Sequence, residues 1–442
     1  MTAGFRPSGR RAAEIAADVE TAVAAGRAAP GTLLPPVREL AAELRVAPGT
    51  VATAYRLLAD RGVVEGNRRA GTRIRPRLPD RPRPGPVAPP GIRDLARGNP
   101  DPALLPDLSG VWRRLAPTPR LYGAAPVLGP LAELAEAGFR ADGIDLARIT
   151  VAGGALDAIE RALQAHLRPG MRVAVEDPGY AGLLDLLDAL GLGVEPVAVD
   201  DSGPLPEALA AALRRGARAA IFTPRAQNPT GSSITLDRAA GLVEILSRQP
   251  EVLVVEDDHA GPVAGAPAVS VIGAGAGSAH AIAVRSASKA LGPDLRVALV
   301  AGDAETVAAV EARQAVGAGW VSHLLQELVL ALLVDPATPA LLERAAQAYA
   351  ARRGALVDAL ARLGVRAHGR SGLNVWIPVD DEAAVVAGMA ARGWAVAPGA
   401  RYRIASPAGI RITVSTLDPG GAGAVATDLL ASLGAAANPR DG

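Results

Sequence analysis

From about residue 98 onward, short apolar runs alternate with longer stretches of helical period, and this alternation decides the fold class. Residues 172–175, 194–199, 219–222, 252–255, 281–284 and 297–300 have the length and β-branched content of strands. Residues 157–167, 181–190, 206–214 and 236–248 between them read as helices. Parallel neighbours need a crossover, usually a helix, so strand–helix alternation predicts an α/β domain with a largely parallel sheet. A final section, about 340–435, opens on a long helix and continues as a smaller α+β pattern. Ligands of parallel sheets sit beyond the carboxyl ends of the strands. The loops at those ends are therefore the places to look for chemistry.

Four such loops stand out. Gly153-Gly154-Ala155 opens a helix near Asp157, where bare N–H groups can face an anion, although an ordinary tight turn uses the same residues. Tyr180, in Glu176-Asp177-Pro178-Gly179-Tyr180, places a ring at a strand end, where it could stack on a planar ligand or simply pack. Asn228-Pro229-Thr230-Gly231 is a rigid turn that fixes the Asn228 amide. Glu256-Asp257-Asp258-His259 sets carboxylates just past a hydrophobic strand, where one of them could hold a proton on a ring nitrogen or cap a helix.

Against these stands Ser286-Ala287-Ser288-Lys289, with Arg296 seven residues beyond the lysine. Lys289 is the only lysine in 442 residues; the other basic residues are all arginine. Arginine can replace lysine in salt bridges and against phosphates, but a guanidinium stays charged and cannot condense with an aldehyde. A single retained amine between hydroxyls points to chemistry that only an amine performs, though a leftover surface lysine would look the same in the count.

Asn-Pro-Thr-Gly, then a strand ending in aspartate, then Ser-x-Ser-Lys with arginine seven residues later resembles the fold-type I pyridoxal-phosphate enzymes of the aspartate aminotransferase superfamily. The resemblance implies that Lys289 forms a Schiff base with pyridoxal 5'-phosphate and that Asp257 pairs with the pyridine nitrogen. It gives Asn228 and His259 to the ring hydroxyl and Tyr180 to the ring face. Ser286, Ser288, Arg296, Gly154 and Ala155 would hold the phosphate. Tyr122 would reach the phosphate of a partner subunit, and Arg411 would take a substrate carboxylate as a bidentate pair. Two departures are visible. His259 stands where a tyrosine is usual, with a charge expected to vary near neutral pH, and Gly154-Ala155 lacks the usual hydroxyl side chain.

The N-terminal part is of another kind. Residues 10–25 read as an amphipathic helix bearing Ile15, Val19 and Val23. A second helix follows Pro36, and a tight turn at 46–51 leads to a third. Residues 62–65 and 72–74 flank a basic tip and read as a wing. The order L-P-x-x-R-x-L-A-x-x-L, T-V-x-x-A-Y-x-x-L and G-x₈-G-T resembles the winged helix-turn-helix of GntR-type regulators. It implies DNA contacts from Arg38, the start of the recognition helix and the wing with Arg68 and Arg69. Ala47-Pro48 departs from the usual Ser-Arg, so a base-reading arginine is missing there, and either specificity shifts to Thr50 and Thr53 or DNA binding is weaker. Charge agrees with a polyanion as partner: residues 1–85 hold 15 arginines against 8 acids, the remainder 31 basic against 37 acidic residues.

Seven prolines between residues 76 and 90 mark a linker, expected over 76–97. The expected division is a winged helix over 1–75 and an aminotransferase-like domain over 98–435, its large part at about 120–330 and its small part at about 340–435. A winged helix joined by a proline-rich linker to an aminotransferase-like domain resembles the MocR/GabR regulators, and the wording E-D-D-H-A-G and R-S-x-S-K is closest to the PtsJ-like branch of vitamin B6 salvage. The resemblance implies a head-to-tail homodimer that binds DNA and senses pyridoxal phosphate or an amino compound. The absence of cysteine excludes disulfides and thiolate metal sites, and no histidine pair has metal-ligand spacing. No 18-residue apolar run or leader pattern is present, so a cytoplasmic protein without a membrane segment is expected. A working aminotransferase with a vestigial DNA module, and a ligand-binding scaffold with neither activity, remain open alternatives.

Overall fold

The computed structural model describes residues 5–24, 27–29, 31–60, 63–67, 71–74 and 91–437. The chain divides into two compact units, one holding Met1–Arg83, Leu167–Val173 and Leu184–Val194, the other Pro84–His166, Ala174–Leu183 and Glu195–Gly442.

In the first unit, α1 (Ala12–Ala24), α2 (Val37–Leu44) and α3 (Pro48–Asp60) precede a hairpin of β1 (Val64–Asn67) and β2 (Gly71–Ile74). Ile15 and Val19 are fully buried against Leu40, Val51, Leu58 and Ile74, as their four-residue spacing predicts. Pro48 opens α3, where its missing N–H leaves no helical bond unmade. Leu33 bridges to Arg73, which adds a third strand segment to the wing. Arg68, Arg69 and residues 76–90 of the expected linker lie outside the described residues.

The second unit begins with β3 (Arg93–Asp94), which pairs in parallel with Trp394–Ala395. Residues 93–97, placed in the linker by composition, are thus built into the fold. Leu95 and Ala96 are buried, and the Arg93 guanidinium lies 3.4 Å from the Trp394 ring centroid. Proline content signalled a linker, but the charged pair Arg93-Asp94 gives no strand signal of its own and pairs only with a distant segment.

The main sheet contains β4 (Arg148–Ala152), β5 (Arg172–Asp177), β6 (Gly193–Asp200), β7 (Gly203–Pro204), β8 (Ala217–Phe222), β9 (Leu253–Asp258), β10 (Ala281–Ser286) and β11 (Ala298–Gly302). Their order is β4-β11-β10-β9-β8-β5-β6-β7. Strands β8, β9 and β10 are parallel; β11 runs antiparallel to both β10 and β4. The six expected strands are all present, extended by up to two or three residues. β4 was not foreseen, because Arg148, Thr150 and the glycines after it mask its apolar character.

The small part builds β12 (Asn374–Pro378), β13 (Trp394–Ala395), β14 (Ala397–Pro398) and β15 (Gly409–Thr413) beside the helices Thr338–Arg362, Glu382–Ala391 and Ala422–Ala437. Val375, Ile377, Ile410 and Ile412 are fully buried against Leu356, Leu360, Val425 and Leu429. Each such side chain contributes about 1.5–3 kcal/mol on burial. Among the described residues, no single helix is long and apolar enough to cross a membrane.

Candidate cofactor site

The carboxyl ends of β5, β8, β9 and β10 converge on a cavity of about 350 Å³. It brings together Ala155, Tyr180, Asn228, Asp257, His259, Ser286, Ser288, Lys289, Arg296 and Arg411, ten of the residues singled out by sequence and scattered over 256 positions. Gly154 does not line the cavity but supports it from behind. An ideal Cβ there would sit 2.5 Å from Arg296 Nη2, and its φ is +112°, which L side chains rarely adopt. Arg296 in turn donates from Nη2 to the Gly153 carbonyl at 2.9 Å. The helix Ala155–His166 starts at the same place, so its free N–H groups and Arg296 meet at one end of the cavity.

Three consecutive carboxylates end β9, and pleating sends them to different places. Glu256 accepts from Ser270 Oγ at 2.7 Å and from the amides of Val271 and Ile272. Asp258 accepts from Arg225 Nε and Nη2 at 3.0 and 2.7 Å. Burial pushes its pKa up, but Arg225 and Arg285 outweigh that and hold it below the ordinary range. Asp257 alone turns into the cavity, and its Oδ1 has no hydrogen-bond partner. Burial first, then the negative charges of Asp258 and Glu176, push its carboxyl up to about 7. A buried acceptor without a donor costs about 1–3 kcal/mol, and no described residue supplies that donor to Asp257 Oδ1.

Lys289 Nζ donates to the Gly98 carbonyl at 2.5 Å. Burial, helped by the Arg411 charge, lowers its pKa to about 8. His259 is also lowered, to about 4, by burial and by the Lys289 charge. The expectation that its charge varies near neutral pH is thereby corrected: the desolvated imidazole stays neutral there. Ser286 and Ser288 are joined through their hydroxyls at 3.0 Å.

Arg411 lies on β15, buried. Its Nη1 donates to Asn228 Oδ1 at 3.0 Å, its Nη2 to the Ala96 carbonyl, and its Nε has no partner. It makes no ion pair among the described residues. The Tyr402 ring lies 4.9 Å from the guanidinium, and the loop that carries Tyr402 is tied to β5. The Asp177 carboxylate accepts from the amides of Ile404, Ala405 and Ser406 and from Ser406 Oγ, at 2.8–2.9 Å. Sequence reasoning gave Asp177 no role, because only the folded chain brings residue 406 to it.

Tyr122 is not at this cavity. Its side chain is 92 % exposed and meets Trp320 edge to face. Conversely, Gly98, Asn99, Leu373 and Asn374 line the cavity without having been foreseen. The Asn374 Oδ1 accepts from Thr413 Oγ1 at 2.9 Å, which fixes the amide. A single asparagine in an apolar strand was the available signal.

In the first unit, Arg38 is exposed on α2, and Thr50 and Thr53 lie half-buried on the first turns of α3. No hydroxyl cap or basic residue occupies the start of α3, where Pro48-Gly49 stands.

Comparison with known proteins matches two families along the chain. Residues 127–427 match the family model for aminotransferase class I and II, and residues 11–74 match that for bacterial regulatory proteins of the gntR family. The chain is 42 % identical to the vitamin B6 salvage pathway transcriptional repressor PtsJ of Salmonella typhimurium, over 96 % of this chain and 99 % of that protein. This chain is a MocR-type regulator of the gntR family. Such regulators join a helix-turn-helix to an aminotransferase-like fold, and both parts are present here. The HTH-type pyridoxine biosynthesis transcriptional regulator PdxR of Corynebacterium glutamicum is 31 % identical over 55 % of each chain. Among solved structures, the alpha-aminoadipate aminotransferase LysN of Thermus thermophilus, complexed with N-(5'-phosphopyridoxyl)-L-leucine, superposes with a TM-score of 0.68. It shares 25 % identity over 78 % of this regulator and 92 % of that chain.

Gly154→Ala tests whether the end of the cavity where Arg296 meets the start of the helix Ala155–His166 takes a phosphate. The new methyl must displace the Arg296 guanidinium, and losing one charge-assisted contact to the ligand is worth about 2 kcal/mol. Affinity for pyridoxal 5'-phosphate is expected to fall roughly 30-fold while affinity for unphosphorylated pyridoxal stays within about three-fold. Titration of both by tryptophan quenching checks this.

Proposed function

We propose that this protein is a transcriptional regulator that binds DNA through its winged helix and senses pyridoxal 5'-phosphate, or an amino compound reacting with it, at Lys289. The observation that carries the reading is the pair formed by an uncompensated buried carboxylate, Asp257, and a lysine with a lowered pKa, in one cavity of a chain that also bears a gntR-family helix-turn-helix. We infer a DNA-binding module over 1–75 and a ligand-binding module that begins near Gly91.

Pyridoxal 5'-phosphate fits the donor set. When bound, it supplies an aldehyde that captures amines and a ring that withdraws electrons. Lys289, with its pKa lowered to about 8, offers that aldehyde an amine that is uncharged in a substantial fraction of molecules near neutral pH. Asp257, once ionised, holds a proton at the ring nitrogen and gains the partner its Oδ1 lacks. Tyr180 covers one face of the ring and excludes water. Asn228, its amide oriented by Arg411, and neutral His259 address the ring hydroxyl. Arg296, Ser286, Ser288 and the amides of Gly154 and Ala155 bind the phosphate. Arg411 awaits a carboxylate on an incoming amino compound. Tyr122, exposed and away from the cavity of its own chain, belongs at the phosphate of a second copy in a head-to-tail homodimer. Ligand occupancy biases closure of the small part through the loop tied by Asp177, and closure alters how two winged helices meet their site.

One observation favours a second reading: Arg411 sits free of carboxylates beside Lys289, as a working aminotransferase requires. A single preparation separates the two. Retention on a DNA duplex that weakens with salt and changes on adding pyridoxal 5'-phosphate, with little keto-acid turnover, is the expected result. Robust turnover without salt-dependent DNA retention sinks the regulator reading.

A further inference from the structure

The helix-turn-helix has an unusual economy of positive charge. Helix α3 carries one basic residue, Arg56, and its first turn none. On α2 the acidic Glu39 and Glu43 are both engaged by Arg6, at 2.6 and 2.9 Å. Arg38, Arg45 and Arg56 are exposed and make no ion pair among the described residues.

Arg45 differs from the other two in its backbone. It closes α2 with φ 55° and ψ 46°, the left-handed conformation. Its amide reaches the Ala42 carbonyl at 3.3 Å and the Val46 amide reaches Ala41 at 3.0 Å. This pair of bonds is the helix ending that glycine ordinarily occupies, since a Cβ is disfavoured there. An exposed arginine gains nothing in packing that would offset this. A residue held in a conformation it disfavours, three positions before the recognition helix, is a sign of function rather than of stability. A cation at a helix C-terminus interacts favourably with the dipole, but any neighbouring basic residue could do that without the strain.

We propose that Arg45 is a DNA phosphate contact, supplying at the turn the cation missing from Ala47-Pro48. It rests on the reading that the winged helix binds DNA. A phosphate contact positions the module and carries no sequence information, so its loss weakens binding evenly across sequences.

The test uses the full-length protein and a random-sequence 40-base-pair duplex at several KCl concentrations. Arg45→Gly is expected to reduce the log–log salt slope by about one and affinity at low salt by about five-fold. In the same variant, amide protection across α2 and α3 is expected to rise about two- to five-fold, because glycine relieves the left-handed strain. Arg45→Lys keeps the charge and is expected to keep the slope. An unchanged slope in Arg45→Gly overturns the proposal. So does a loss of binding accompanied by lower protection, which marks a structural cap. A wild-type protein with no salt-dependent retention fails the DNA-binding reading itself, and is told apart before any variant is made.

Discussion

Replacing Lys289 with alanine is expected to abolish covalent capture of pyridoxal 5'-phosphate, seen as complete loss of the visible absorbance of the protein and of borohydride fixation. No other side chain can substitute, because Lys289 is the only lysine in the chain. The same amine makes a pH prediction. With its pKa lowered to about 8, about a quarter of the lysines are uncharged at pH 7.5, against roughly one in a thousand for an ordinary lysine amine. The rate at which the visible band forms should therefore rise close to tenfold per pH unit below 8 and level off above it. A rate still climbing steeply at pH 9.5 would contradict the burial that lowers this pKa. Stopped-flow absorbance across pH 6–9.5 measures it directly.

Asp257→Asn is expected to move stability and cofactor binding in opposite directions. In the unfolded chain this carboxyl loses its proton near pH 4; in the folded protein without cofactor it keeps it to about 7. Between those values the folded state binds the proton that the unfolded state has released, so stability falls by about 1.4 kcal/mol per pH unit as pH rises. Asparagine removes that dependence. At pH 8 the cofactor-free variant should be more stable than the wild type by up to roughly 4 kcal/mol, and the two should converge near pH 4. Affinity for pyridoxal 5'-phosphate should meanwhile weaken by about 2–4 kcal/mol, roughly 30- to 1,000-fold, because a charge-assisted bond to the ring nitrogen is lost. Urea denaturation at pH 4, 6 and 8 with a parallel cofactor titration tests both arms. A variant less stable at pH 8, or one that binds as tightly as wild type, removes Asp257 from the role.

How far the sequence reached can be argued from individual residues. Asn228, Lys289 and Arg296 were legible because each sits in a stretch whose residue types are tied to one chemistry, and because lysine is otherwise absent. Gly98 and Asn374 were not, since a glycine and an asparagine in isolation have many uses. Among Glu256, Asp257 and Asp258, residue types alone do not say which faces a ligand. The pleat of β9 settles that by sending the first to Ser270, the last to Arg225 and only the middle one into the cavity. The strained turn at Arg45 was invisible, because a left-handed backbone angle has no signature when the residue is not glycine.

The sequence by itself determined the α/β class, the winged helix ahead of it and the amine on which the site depends, since these follow from hydrophobic period, turn chemistry and the reactivity of side chains. Only the tertiary structure decided the ionisation of Asp257, His259 and Lys289, the tie between Asp177 and residues 404–406, and the place where Arg93–Asp94 joins the fold. Those properties come from burial and from groups that only the folded chain brings together, and neither is defined until the chain has closed on itself.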